Sequence, residues 1–358
     1  MKEKLRQINP GNILFPVMAV LLALVISAFV IAALGYDWVF AYRNLLDGAL
    51  GSRRTIGETL IRTIPLIFTG LSFAVGRRCG LINLGAEGQV YMGGLFGTIV
   101  GVSFVGLPAA IHLPLALTAG MLGGGLLGLL TGWLKNRFGA SELITGIMFN
   151  YIAIHLVSWT VTLGGPLRVG DFNQSERMQP SAQLSLIMEG SRLHAGIYLA
   201  LLAVLFFYYF MWKTTKGYEI RAAGLNPGAA AYSGINVKRN VLLAMFLAGG
   251  FAGLAGCVEI LGVQRRLMPD FSPNYGFDGI AVSLLGNNAP IGILLAAFLF
   301  GMLRSGANQM QAAAQVPVAV VQIIQSLVIL FVVGREFYTH FGNFIQKFKP
   351  PTKKREVR

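Results

Sequence analysis

Long apolar runs separated by short polar connectors set the pattern of this chain. Runs near residues 13–34, 61–78, 81–104, 108–134, 139–163, 195–212, 241–262, 290–308 and 314–333 approach or exceed the length that carries a helix across a hydrocarbon core. A further run, 277–287, is too short to cross alone and reads as a re-entrant or broken element. The pattern predicts an all-α polytopic membrane protein with about ten transmembrane helices.

One run is interrupted. Residues 80–90 place Asn83, Glu87 and Gln89 inside apolar sequence that continues from Phe73 to Val105. A charged side chain at bilayer depth costs on the order of 2.5–3.5 kcal/mol, and unwound backbone survives there only when buried in protein or lining a wet cavity. The amides of Asn83 and Gln89 and the Glu87 carboxylate either meet a polar solute or hold the break together, and the residues by themselves leave both roles open. Asn150, Asn287 and Arg304 are the other candidates for a polar path. Glu142 lies beside Lys135 and Arg137 and is expected to pair there, and Glu259 lies close to Arg265 and Arg266.

The lysines orient the chain. With the N-terminus cytoplasmic, Lys2, Lys4, Lys135, Lys213, Lys216, Lys238, Lys347, Lys349, Lys353 and Lys354 all fall on the cytoplasmic side, as the positive-inside rule requires. This orientation divides the chain into a cytoplasmic N-terminus (1–12), a membrane domain (13–333) and a basic cytoplasmic tail (334–358). An odd number of spans on each side of the 164–194 loop gives the halves opposite orientation, so an inverted repeat of about five plus five helices is open, with 80–90 and 277–289 as related interruptions. Glycines at 120, 124, 128 and 132, with Gly249 and Gly253, have the spacing of close helix packing.

The longest cytoplasmic connection, 214–240, is too polar to insert. It reads as two short helices: Tyr218–Ala223 stopping at Gly224, then a second capped by Asn226 with Pro227 at its first position and Gly234 beyond its end. Its small residues make either a loop lying on the protein's own surface or a knob for a partner's groove.

Composition narrows the function. The chain is 54% hydrophobic and 12% charged, so its apolar surface exceeds what a soluble core could hide. The net charge of +14 is dispersed among the connectors, which argues against nucleic acid and for contact with membrane lipid. Cys79 and Cys257 sit in or beside apolar runs and read as inert thiols, and the scattered His112, His155, His194 and His340 read as surface or packing residues. There is no Gly-Lys dipeptide, hence no phosphate-binding Walker loop, and no HExxH, CxxC or GxSxG. The chain is not expected to be an enzyme.

GLINLGAEGQ, the 214–240 loop and FDGIAVSLLGNNAPIGI (277–293) together resemble the ABC-importer permeases of the branched-chain amino acid, ribose and nucleoside group. The first motif is similar to the G-L-x-N-I-G-x-E-G-Q of the nucleoside and simple-sugar branch, with Leu84 in place of isoleucine. The resemblance implies a plasma-membrane permease subunit, closest to the nucleoside permeases. It implies pairing with a second, different permease, power from separate ATPase subunits that bind ATP and Mg, and an extracytoplasmic substrate-binding lipoprotein. It also implies that Gly217, Glu219, Arg221, Gly224, Asn226, Pro227 and Ala230 belong to an ATPase-coupling element. Alternatives are a permease for simple sugars such as ribose and a self-sufficient secondary transporter.

Overall fold

The apolar runs form helices. A computed structural model describes residues 10–317 and 319–333, so the expected tail at 334–358 and the first nine residues lie outside the described residues. The helices are α1 (Pro10–Ala33), α2 (Trp38–Leu50), α3 (Arg53–Arg78), α4 (Ala86–Ser103), α5 (Ala109–Phe138) and α6 (Glu142–Val161). They continue with α7 (Gly196–Lys213), α8 (Thr215–Leu225), α9 (Pro227–Tyr232), α10 (Val237–Glu259), α11 (Tyr275–Leu285), α12 (Pro290–Ala314) and α13 (Ala319–Val333). Among the described residues there is no β-strand, and pairing is limited to isolated bridges in the 162–195 connection.

The chain divides into two units. In one, α1 packs on α13; the other runs from Val39 to Val318. Among the described residues, six helices are long and apolar enough to cross a membrane: α3, α5, α6, α7, α10 with its continuation to Gln264, and α12. Their burial separates two kinds. α3 and α10 bury 89% and 78% of their apolar windows, whereas α5, α6 and α7 bury 33%, so the first two are central within their unit and the others offer apolar side chains to lipid. Ile144, Met148, Tyr151 and Trp159 on α6 are examples of these exposed apolar side chains.

The glycine stripe of α5 faces α10. A Cβ at Gly124 would run into the Gly249 carbonyl and one at Gly128 into that of Met245, so the four-residue spacing serves packing inside this chain.

Two features depart from the sequence reading. The helix α2 was not expected; its buried residues Ala41, Leu45, Gly48 and Ala49 recur with helical period, and Ser305 of α12 donates to the Gly48 carbonyl at 3.2 Å. The run 81–104 begins its helix only at Ala86, because Gly80, at φ 76°, turns the chain out of α3 and residues 81–83 stay without regular structure. The short run 277–287 is the helix α11, whose 11 residues rise about 16 Å, roughly half a hydrocarbon core. Beyond α10 the backbone continues as one π-helical turn, Ile260–Gln264, and leaves it through Arg265 at φ 58°.

Candidate functional site

Asn83 and Gln89 face each other across the break. Asn83 Nδ2 donates to Gln89 Oε1 at 2.8 Å, and Gln89 Nε2 returns a bond to Asn83 Oδ1 at 3.1 Å. Asn83 Nδ2 also reaches Ser72 Oγ of α3 at 3.0 Å, which ties the non-helical segment back to the last two turns of the preceding helix. Asn150 of α6 closes the other side: its Oδ1 accepts the Gly88 N–H at 2.7 Å and its Nδ2 donates to the Leu84 carbonyl at 2.8 Å. All three amides are buried and spend their polar atoms on the break itself. This is how backbone left without helical partners is satisfied in a low-dielectric interior.

Glu87 is in the first turn of α4, and its Oε2 accepts the Gly276 N–H at 2.6 Å. Gly276 is in the first turn of α11, so one carboxylate lies between two helix N-termini, where aligned peptide dipoles favour negative charge. Ser272 is close enough to act on this carboxylate, yet no hydrogen bond of good geometry reaches Oε1 among the described residues. Arg304 of α12 completes the surroundings of α11. Its Nη2 is 2.5 Å from Asp278 Oδ2 and donates to the Pro273 carbonyl at 2.8 Å, and its guanidinium lies 5.0 Å from the centre of the Tyr275 ring. The acceptor that an intramembrane arginine requires is therefore Asp278.

Asn287 lies elsewhere, exposed in the turn between α11 and α12, at φ 53°. Glu142 pairs with Lys135 at 2.6 Å. Glu259, expected beside Arg265 or Arg266, instead receives Gln264 Nε2 at 3.4 Å, because the π-turn brings Gln264 back over it and Arg265 turns the chain away.

The polar loop is a helical hairpin. Thr214 caps α8 by accepting the Gly217 N–H, and Asn226 caps α9 by accepting the Ala229 N–H, both at 3.0 Å, with Pro227 at the first position of α9. The first helix was expected over Tyr218–Ala223 with a stop at Gly224. It starts earlier because Thr214 caps it, and it runs through Gly224 to Leu225. Gly224 is needed for proximity: a Cβ there would strike the Arg78 carbonyl and the backbone of Cys79 and Gly80. Gly217 packs just as closely on Phe210 and Met211, and Ala230 is buried. Glu219 takes both oxygens to Lys216, at 3.0 and 2.8 Å, and accepts from Asn240 at 3.0 Å; these bonds hold its carboxyl below the usual carboxylate range. Arg221 lies over Trp212, 5.9 Å from the ring centre.

What the hairpin shows to solvent is a different set. Tyr218, Leu225 and Tyr232 are 61%, 89% and 97% exposed, on a segment too polar to enter the membrane. Tyr218 and Leu225 border a groove of about 520 Å³ whose lining also includes Ala222, Asn226 and Ala229. The sequence reading missed the three exposed residues as a group, though their seven-residue spacing among polar neighbours was visible.

The model of the family described as "Branched-chain amino acid transport system / permease component" matches residues 55–333. The chain belongs to that family. It is a permease component and a multi-pass membrane protein. It is 40% identical over 326 residues to the guanosine ABC transporter permease protein NupP of Bacillus subtilis, covering 90% of this chain and 93% of that one. It is 36% identical to the nucleoside ABC transporter permease protein NupB of Lactococcus lactis, covering 90% of each. It is 38% identical to the glucose ABC transporter permease protein TsgB13 of Haloferax volcanii, covering 91% of this chain and 88% of that one. The same Bacillus and Lactococcus strains each supply a second, more distant match, the permeases NupQ and NupC, at 28% and 24% identity. No solved structure matches the chain.

Proposed function

We propose that this permease carries nucleosides as one of two different permease subunits of an ATP-driven importer. The observation that carries the substrate is similarity over nine-tenths of the chain to relatives named for guanosine and for nucleosides. The second matches from the same two strains support an unlike permease partner. The glucose relative keeps simple sugars as the second reading. Membership in a permease-component family argues against a self-sufficient secondary transporter.

Power comes from separate ATPase subunits that hold ATP and Mg, and an extracytoplasmic binding lipoprotein delivers the substrate. The hairpin α8–α9 is the ATPase-docking element, with Tyr218, Leu225 and Tyr232 as its contact surface. The apolar helices form about ten spans with both termini cytoplasmic, and the meeting of the N-termini of α4 and α11 at Glu87 supports an inverted repeat. On the path, Asn83, Gln89 and Asn150 act as struts, because their bonds close on the break. Glu87, whose Oε1 receives no hydrogen bond of good geometry among the described residues, Arg304 and the exposed Asn287 are the residues assigned to meet substrate.

The test is deletion followed by uptake assays with radiolabelled guanosine, uridine, glucose, ribose and leucine. Loss of ATP-dependent nucleoside uptake with the others intact is the expected result. Loss of sugar uptake alone moves the chain to the sugar reading, and loss of leucine uptake alone to amino acids.

A further inference from the structure

Arg78, the last residue of α3, reaches the turn after α11 and the end of α7 with its side chain, and its carbonyl lies against Gly224 of α8. Its Nη2 donates to the Asn288 carbonyl at 2.9 Å, in the turn that closes α11. Its guanidinium lies 5.0 Å from the centre of the Trp212 ring, near the end of α7, and Arg221 of the hairpin lies over the same ring. Immediately beyond, Gly80 faces the backbone of Gly224 in α8, whose carbonyl oxygen lies 3.1 Å from where a Gly80 Cβ would stand.

We propose that Arg78 is the positioning residue through which movement of the hairpin α8–α9 reaches the half-helix α11. The inference deepens the reading of the hairpin as an ATPase-docking element and rests on it.

The geometry suits a relay. Two guanidiniums share one indole, and among the described residues neither has an ion-pair partner. Ring and carbonyl are therefore what hold Arg78 against Arg221, so a shift of Arg221 or Trp212 changes the balance on Arg78 directly. Arginine suits the position because its planar group can lie on a ring face while its edge donates to a carbonyl.

The receiving element can move as a unit. α11 is bounded by Asn274 at φ 65° and by Asn287 and Asn288 at 53° and 51°, left-handed positions that asparagine tolerates and that fit a hinge at each end. Along its side, Gly279 and the Thr69 region of α3 meet without an intervening side chain from α11. At its far end Glu87 holds the Gly276 N–H and Arg304 holds Asp278. A pull on Asn288 therefore acts on a short helix whose other end sits at the break in α4.

The experiment uses the complete transporter in proteoliposomes, with ATP hydrolysis and uptake of radiolabelled guanosine measured together for Arg78→Gln, Arg78→Lys and Trp212→Leu. Arg78→Gln is expected to lower uptake per ATP hydrolysed roughly tenfold, a size typical of coupling between sites, while the ATPase still copurifies and still hydrolyses. Arg78→Lys, which keeps charge and reach but cannot lie flat, falls between, and Trp212→Leu uncouples from the other side of the contact. Unchanged uptake per ATP in Arg78→Gln overturns the relay while the permease reading stands. Loss of ATPase copurification overturns it too, assigning Arg78 to docking. A wild-type complex without ATP-dependent uptake removes the nucleoside-importer reading and the relay together.

Discussion

Glu87 Oε2 and the Gly276 N–H, 189 residues apart in sequence, form a 2.6 Å hydrogen bond that joins the N-termini of α4 and α11. Glutamate at a helix start is favourable by itself, but here the same carboxylate serves a second helix, so the pair fixes where two broken elements meet. Glu87→Gln keeps an acceptor and is expected to leave a folded protein with reduced uptake. Glu87→Leu leaves the Gly276 N–H buried without a partner, at a cost of about 1–3 kcal/mol, and should abolish uptake and lower the melting temperature in detergent. Normal uptake by the leucine variant would remove the segment from the mechanism.

The reciprocal amide pair of Asn83 and Gln89 predicts non-additivity. Asn83→Leu or Gln89→Leu alone strands a buried amide and should cost about 1–3 kcal/mol each. The double variant should cost less than the sum, by about 0.5–3 kcal/mol, because the amide stranded in each single variant is itself gone. Denaturation of all four proteins in one detergent measures the cycle, and simple additivity would show that the pair does not act as a unit.

The exposed trio on the hairpin predicts an association defect without a folding defect. Leu225→Glu with Tyr232→Glu alters residues that are 89% and 97% exposed, so the permease itself should melt as the wild type does. Copurification of the ATPase subunits should fall at least about tenfold, since apolar anchors carry much of a protein interface. Retained association would place docking elsewhere on the chain.

His194, in the connection before α7, gives a pH prediction. Burial, with Arg265 nearby as a second cause, lowers its pKa from 6.5 to about 4, and its Nδ1 accepts the Gly196 N–H at 3.2 Å. A depressed pKa means that the unfolded chain binds the proton first. The contribution to stability is complete above pH 6.5 and is lost as pH falls from there toward about 4, with a total of about 3 kcal/mol. Melting temperature against pH should therefore fall more steeply through this window in the wild type than in His194→Phe. Identical slopes would show that His194 does not titrate as the burial requires.

Some of this was legible because the signals are local. The caps at Asn226 and Pro227 were readable because an N-cap bond spans three residues, as Asn226 to Ala229 does. Gly224 was misread as a stop, because sequence does not show that the backbone of Arg78–Gly80 lies against it. The helix α2 went unnoticed since it is short and carries Arg43, Asn44 and Asp47, although its buried face had helical spacing.

That the chain inserts, roughly where its helices run, and that the run after Gly80 breaks are written in the residues themselves, because the cost of polar groups in hydrocarbon depends on residue type and run length. What those polar groups do follows from how the helices pack. Asn83 turned to Gln89, Asn150 to Gly88 and Leu84, Glu87 to Gly276, Arg304 to Asp278 and Arg78 to Asn288. A buried donor or acceptor must find a partner, but which one depends on the packing of helices that are distant in the chain.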